Sequence, residues 1–255
     1  MENNKTIHFS IDDCIEIFND LTLNEKKYKS IFNNKLLNLL RKYHKKYDMK
    51  ISLYCFYENN DFSIKKCTEK FRQEFVENSD WLSFSFHQYS QKIDLNKMEI
   101  SDFKSKYKSF IEEMNRIVGL KSLNSTTRID KFICDKEKME FLNNNNIYVI
   151  NTFLTADSYD RPNYYLSKKE NNLLKNHKKY VDKENRIKFI ETTCRLENIE
   201  YRKINSIFNN KNITVFTHEW IINGNLKSRI SIKLKLNKIL KMAKKQNYKI
   251  LREGE

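Results

Sequence analysis

Three groups in this sequence could do chemistry together: the adjacent pair Asp12-Asp13, then His87, then His218. Two neighbouring carboxylates repel unless a cation stands close, and a divalent metal relieves that repulsion while leaving one carboxylate free as a base. Asp also favours helix N-caps and solvated turns, so the pair alone is a weak signal. His87 ends the run Trp81-Leu82-Ser83-Phe84-Ser85-Phe86-His87, and neutral imidazole is a common ligand for zinc-like ions. His218, in Val215-Phe216-Thr217-His218-Glu219-Trp220, could give a proton to a leaving group or serve as a third ligand. Glu219 could orient it or cap the next segment. His44 and His177 sit in Lys-rich stretches and suggest no role, and His8 reads as a buried, hydrogen-bonded side chain.

The elements that must position these groups alternate. Strands are predicted over Ile7-Asp12, Ile51-Tyr57, Trp81-His87, Thr126-Phe132, Ile147-Leu154, Arg186-Thr192, Ile213-Thr217 and Tyr248-Leu251. Helices are predicted over Tyr28-Tyr47, Lys65-Asn78, Ile100-Val118, Asp135-Leu142, Ser167-Asn176 and Ile199-Asn209, with a further one in the C-terminal basic segment. This order argues for an α/β fold with parallel strands. Strand phase then separates a barrel from an open sheet. Ile7, Phe9 and Ile11 share one face of the first strand, and His8, Ser10 and Asp12 the other. Leu82, Phe84 and Phe86 oppose Ser83, Ser85 and His87. A barrel explains the pattern, with the apolar face against a helix ring and the smaller face along the axis. Asp12, His87 and His218 all fall in the axis-facing phase at strand C-terminal ends, where β/α barrels place catalytic groups.

His8-Phe9-Ser10-Ile11-Asp12-Asp13 resembles the Asp-Asp motif of the polysaccharide deacetylase superfamily. Ser85-Phe86-His87 resembles its histidine motif, and Thr217-His218 its late histidine motif. The resemblance runs in order over nearly the full length. It implies a distorted (β/α) barrel of about seven parallel strands, spanning residues 1–255 as one domain, and metal-dependent removal of an acetyl group from an amino sugar or glycan. By the same resemblance Asp12 is the base, Asp13 and His87 hold the metal, and His218 is the acid, with ligation by His218 also open. The family orients its base with an arginine. Arg128 has the matching order and phase, and Arg161 is the rival. Asp157, Arg161 and Arg195 would border the same mouth, and Trp220 could stack on a sugar or pack in the core. The pattern breaks twice. Gln91 stands where a second histidine is usual, and Gln is a poor zinc ligand. Cys14 replaces the usual glycine after the pair and reads as a small buried hydrophobe.

Composition bounds the rest. The 255 residues carry 39% hydrophobic side chains, with 17 Phe and 14 Tyr, enough for a real core. The net charge of +15 is spread along the chain, unlike the clustered patches of nucleic-acid binders, so no nucleic-acid partner is expected. Its densest basic segment, Lys227 to Lys249, interleaves apolar residues as a packing helix does. Cys14, Cys55, Cys67, Cys134 and Cys194 form no CxxC pair, and an odd count favours free thiols in a reducing compartment. No apolar run is long enough for a membrane span, and the polar start gives no sign of a signal peptide. The expectation is a cytoplasmic, carbohydrate-acting protein with a divalent metal, zinc by preference. The alternative is a degenerate barrel that binds a glycan or partner without hydrolysis.

Overall fold

The structure, a computed structural model, describes residues 5–158 and 161–252. The alternation read in the first strand is realised over β1 (Thr6–Cys14), followed by β2 (Ile51–Phe56) and β3 (Leu82–Gln88), all almost fully buried. Short strands β4 (Thr126–Thr127) and β5 (Thr152–Leu154) come next. The hairpin strand β6 (Lys179–Asp182) precedes β7 (Ile187–Ile190), β8 (Cys194–Arg195), β9 (Asn212–His218) and β10 (Lys249–Ile250).

One sheet runs β3-β2-β1-β9-β8, with β10 also on β1, and a second runs β4-β5-β7-β6. Every pairing is parallel except β6 with β7. The two sheets join into a distorted barrel at two seams. Phe84 bridges in parallel to Leu123, just before β4. On the other side one extended segment changes partner: β7 pairs with β5, and four residues past its end β8 pairs with β9. Counting β7 and β8 as one stave, the staves are β1, β2, β3, β4, β5, β7/β8 and β9, the seven that the sequence resemblance implies.

Strand phase is as read. Phe86, on the outward face, meets Phe103, Tyr107 and Phe110 edge-on at 5.1–6.1 Å between ring centres. These three lie on one stripe of the helix Ile100–Ile117, so a 3.6-residue period meets a two-residue period face to face. The inward face carries small polar groups. Ser52 and Ser83 hydroxyls lie 3.1 Å apart, and Asn124 donates to Ser52 at 3.0 Å. His8 is buried as expected, its ring 3.2 Å from the Tyr54 hydroxyl and 3.3 Å from the Leu251 carbonyl.

Several elements are shorter than the sequence pattern suggests. The helix expected over Tyr28-Tyr47 forms only over Lys35–Tyr47, because Asn34 adopts an extended conformation and caps it by accepting from Leu37 N–H. That expected over Lys65-Asn78 is a one-turn 3₁₀ helix, Ile64–Lys66, and a short α-helix, Arg72–Glu77. The Thr126-Phe132 strand stops at Thr127, and Asp130–Phe132 turns as a 3₁₀ helix. The helix over Ile199-Asn209 is 3₁₀. The helix Glu16–Leu23 and the antiparallel β6 were not anticipated. Neither has a distinctive periodicity: the first is only two turns, and the second alternates exposed with partly buried residues. The basic C-terminal segment is the helix Leu226–Lys245, which buries Ile232, Leu236, Ile239 and Leu240. Ile230 and Leu234 on the same helix lie exposed.

Candidate active site

Register brings the distant groups together. In the parallel β1/β9 pair, Asp12 stands directly beside His218. Asp12 is fully buried and faces the axis. There Arg128 Nη1 donates to both of its carboxylate oxygens, at 2.9 and 3.0 Å, and to Ser10 Oγ at 3.0 Å. Nη2 donates to Thr192 Oγ1 at 3.0 Å. The guanidinium also lies 4.0 Å from the centre of the Phe216 ring. Arg128 is itself buried, so the pair is a desolvated ion pair whose partners need one another. Of the two rival arginines, it is Arg128 that holds Asp12.

Asp13 should point away from Asp12 by strict alternation. It does not, because β1 has an irregularity between Ile11 and Cys14, and Asp13 takes φ of 60°. Asp tolerates this left-handed region better than most residues, and a bulge of this kind re-aims one side chain. The carboxylate swings to the mouth. Its Oδ1 is 3.1 Å from His87 Nε2, and its Oδ2 accepts from Trp220 Nε1 at 2.9 Å. Burial works against the charge, but the bonds and charges of His87, His218 and Trp220 outweigh it and hold the Asp13 pKa below its usual value.

His87 is pinned on the opposite edge of its ring. Nδ1 faces the Arg128 carbonyl, which can only accept, so Nδ1 carries a proton and Nε2 addresses Asp13. Burial alone would lower the His87 pKa. Asp13, Asp12 and Asp130 reverse this and raise it from 6.5 to about 9. The folded chain therefore favours the imidazolium. The linked stability is full below pH 6.5 and disappears as pH rises through 9. Thermal unfolding of chelator-treated protein between pH 6 and 10 should show this decline in the wild type and not in His87→Gln. Equal pH dependence in the two proteins would remove the ion pair from the account.

His218 Nδ1 is 2.8 Å from Glu197 Oε1, which also accepts from the His218 N–H at 2.8 Å and the Thr217 hydroxyl at 3.0 Å. Glu197, not Glu219, orients this histidine. Glu219 turns the other way and accepts from the N–H groups of Ile15, Glu16 and Ile17 at 2.7–2.8 Å, capping the helix after β1 from across the sheet.

Asp12, His87, Arg128, Arg161, Arg195 and His218 line one pocket of about 90 Å³ at the C-terminal ends of the strands. Arg161 pairs with Asp157 at 4.0 Å. Arg195 Nε lies 3.5 Å from Glu197 Oε2 and makes no hydrogen bond. Trp81 belongs to the core, whereas Trp220 is half exposed beside His218, 5.6 Å between rings. Cys14 is buried next to Cys55 on β2, and all five cysteines are free and buried. Gln91 is exposed; its backbone carbonyl accepts from Lys131 Nζ at 3.2 Å.

Asp13, His87 and Asp130 each offer one ligand atom, and these atoms lie within 4.8 Å of one another. Among the described residues they form the one group of three or more such side chains able to hold an ion; His218 stands outside it. The donors fit a divalent cation. Asp130 Oδ2 is buried without a hydrogen bond and forms an ion pair with the Lys131 ammonium at 3.7 Å. Asp130 and Glu197 are the two residues that sequence reading missed. Each lies two positions past a residue already singled out, Arg128 and Arg195.

The fold is a β/α barrel whose strand C-termini carry a pocket lined by carboxylate, imidazole and guanidinium groups. In fold the chain is similar to solved polysaccharide deacetylase barrels. A deacetylase solved with its substrate shares the fold at a TM-score of 0.52 and 10% identity, covering 98% of this chain and 88% of that one. The Bc1960 peptidoglycan N-acetylglucosamine deacetylase aligns at 0.48 and 13%, covering 99% and 88%. A CE4 family pseudoenzyme from Bacillus anthracis aligns at 0.42 and 10%, covering 98% and 64%. No protein-family model and no curated protein matches the sequence. No helix among the described residues is long and apolar enough to cross a membrane.

Proposed function

We propose that the chain is a metal-dependent hydrolase that removes an acetyl or similar acyl group from an amino sugar or glycan. The observation that carries this reading is that Asp12 clamped by Arg128, His87 paired with Asp13, and His218 held by Glu197 converge, with Asp12, Arg128, His87 and His218 lining one pocket. A divalent cation at Asp13 and His87 would polarise the scissile carbonyl and acidify an attacking water. Asp12 accepts the proton of that water. Arg128 fixes the carboxylate and leaves lone pairs on both oxygens free for the task. The new bond is carbon to oxygen, and the bond broken is carbon to nitrogen. His218, with Nδ1 on Glu197, presents Nε2 to return a proton to the departing nitrogen. Arg161, Asp157, Arg195 and Trp220 border the mouth and would hold the sugar.

The test is acetate release from a panel of N-acetylated amino sugars and short glycans by metal-loaded protein. Asp12→Asn keeps the shape and removes the base, so turnover should fall by about 10²–10⁴-fold. Full activity in Asp12→Asn, or none on any substrate with metal bound, would defeat the proposal. The second reading, a barrel that binds a glycan without cleaving it, is favoured by Gln91, which stands exposed where a histidine ligand is usual. It predicts saturable glycan binding with no acetate formed. Cytoplasmic residence is part of the proposal and is supported by the five free thiols. It predicts that a tagged full-length chain stays in the soluble cell fraction with its thiols reduced.

A further inference from the structure

We infer that Asp130 is the third metal ligand, taking over from the absent histidine at position 91, and that the resulting set of two carboxylates and one imidazole weakens the site's preference for zinc in favour of a harder cation of the manganese kind. The inference deepens the hydrolase reading above and rests on its metal dependence.

Position 91 cannot supply a ligand here, since Gln91 is exposed, but it has not lost its connection to the site. Its carbonyl anchors Lys131 at 3.2 Å, and Lys131 follows Asp130. The turn that carries Asp130 is unusual. Lys131 and Phe132 both lie in the left-handed region, at φ of 57° and 59°. Neither is glycine, and such residues cost about 1–3 kcal/mol each unless their surroundings impose them. The surroundings do so. Tyr164 N–H donates to the Phe132 carbonyl at 2.7 Å, and Ile129 N–H donates to the Tyr164 hydroxyl at 3.3 Å. The turn is thus held from both sides in a strained form that brings a carboxylate oxygen within 4.8 Å of the Asp13 and His87 ligand atoms. There Oδ2 is buried and lacks a hydrogen bond.

Two carboxylates converge on one imidazole and repel one another; Arg128 is committed to Asp12, and the cation beside Asp130 is the Lys131 ammonium, 3.7 Å from Oδ2. A cation resolves this repulsion. The identity of the cation follows from the donors. Imidazole suits zinc, whereas carboxylate oxygen suits manganese and magnesium, so exchanging a histidine for an aspartate lowers the zinc advantage. Zinc still benefits from its place in the general affinity order, so the claim concerns the ratio of affinities.

The experiment uses the full chain, stripped with a chelator and titrated separately with Mn²⁺, followed by its electron paramagnetic resonance signal, and with Zn²⁺ in competition with a chromophoric chelator. Asp130→Asn, which keeps the size and removes the charge, should weaken both ions by at least about 10-fold, the lower end of losses already seen for groups that only touch ligands. Asp130→His should raise the zinc-to-manganese affinity ratio by about 10-fold or more over wild type. Thermal unfolding of the metal-free variants checks that each is folded. Unchanged affinities in Asp130→Asn, or an unchanged ratio in Asp130→His, would overturn the assignment. A wild type that binds Mn²⁺ through Asp130 yet cleaves no acetylated sugar would keep the assignment and remove the hydrolase reading. An active enzyme whose metal binding ignores Asp130 would do the reverse.

Discussion

Replacing Arg128 with Met should destabilise the protein by about 3–5 kcal/mol, the cost of leaving one partner of a buried ion pair without the other. The carboxylate left behind, Asp12, is fully buried and would lose both of its bonds from Arg128 Nη1. Methionine fills much of the volume, so the loss reports charge more than packing. The double variant Asp12→Asn/Arg128→Met removes both charges and should recover a large part of the stability while remaining inactive. Denaturant unfolding of the wild type, the two single variants and the double variant gives the coupling directly. A single Arg128→Met variant within about 1 kcal/mol of wild type, the typical effect of an unremarkable substitution, would mean that water reaches Asp12 and that the pair is not desolvated.

Glu219→Ala carries the second large effect. Its carboxylate takes three consecutive backbone N–H groups, of Ile15, Glu16 and Ile17, at the start of the helix after β1. Two of these bonds are classed as buried. A buried donor left without a partner costs about 1–3 kcal/mol, so with a water entering to satisfy one of them the loss is still about 3 kcal/mol. The damage should reach the mouth, because Ile15 is two residues from Asp13. Glu219→Gln is the sharper comparison. It keeps one acceptor oxygen but turns an N–H towards a donor, so it should fall between wild type and Ala in unfolding free energy. If Gln matched wild type and Ala lost less than about 1 kcal/mol, the three donors would be hydrated and the cap of little consequence.

Much of the site was legible before the fold was known, for a definite reason. Side chains at strand ends inherit a two-residue phase, and phase survives in a single sequence. Asp12, His87 and His218 were placed together by that rule alone. Arg128 needed the resemblance as well, since its order and phase mark it only once an arginine that orients the base is expected. What phase could not show is backbone that departs from it. Asp13 reaches the mouth only through a left-handed residue inside β1. Asp130 reaches it through two left-handed residues in a turn where a strand was expected. Glu197 lies in the connection after the two-residue strand β8, too short for any period to register. The role of Glu219 was misjudged for another reason: it serves a helix about 200 positions earlier in the chain, whose start has no capping side chain of its own. A helix lacking a cap at its own end is a cue worth reading as a debt owed by some distant residue.

The pairing of β1 with β9 has a consequence for how the protein comes into being. Asp12 emerges from the ribosome early, while its neighbour across the sheet is made 206 residues later. Contacts so far apart in sequence form slowly. One edge of β1 can pair with β2 early, but its other edge waits until β9 has been made. A chain interrupted before Asn212 holds the Arg128 clamp residues Ser10, Asp12 and Thr192 but lacks the His218 edge, so its mouth is incomplete and β1 has an open strand edge. Fragments ending there should be recovered as aggregates or bound to chaperones, and the pocket should appear in one step, late, with the arrival of β9.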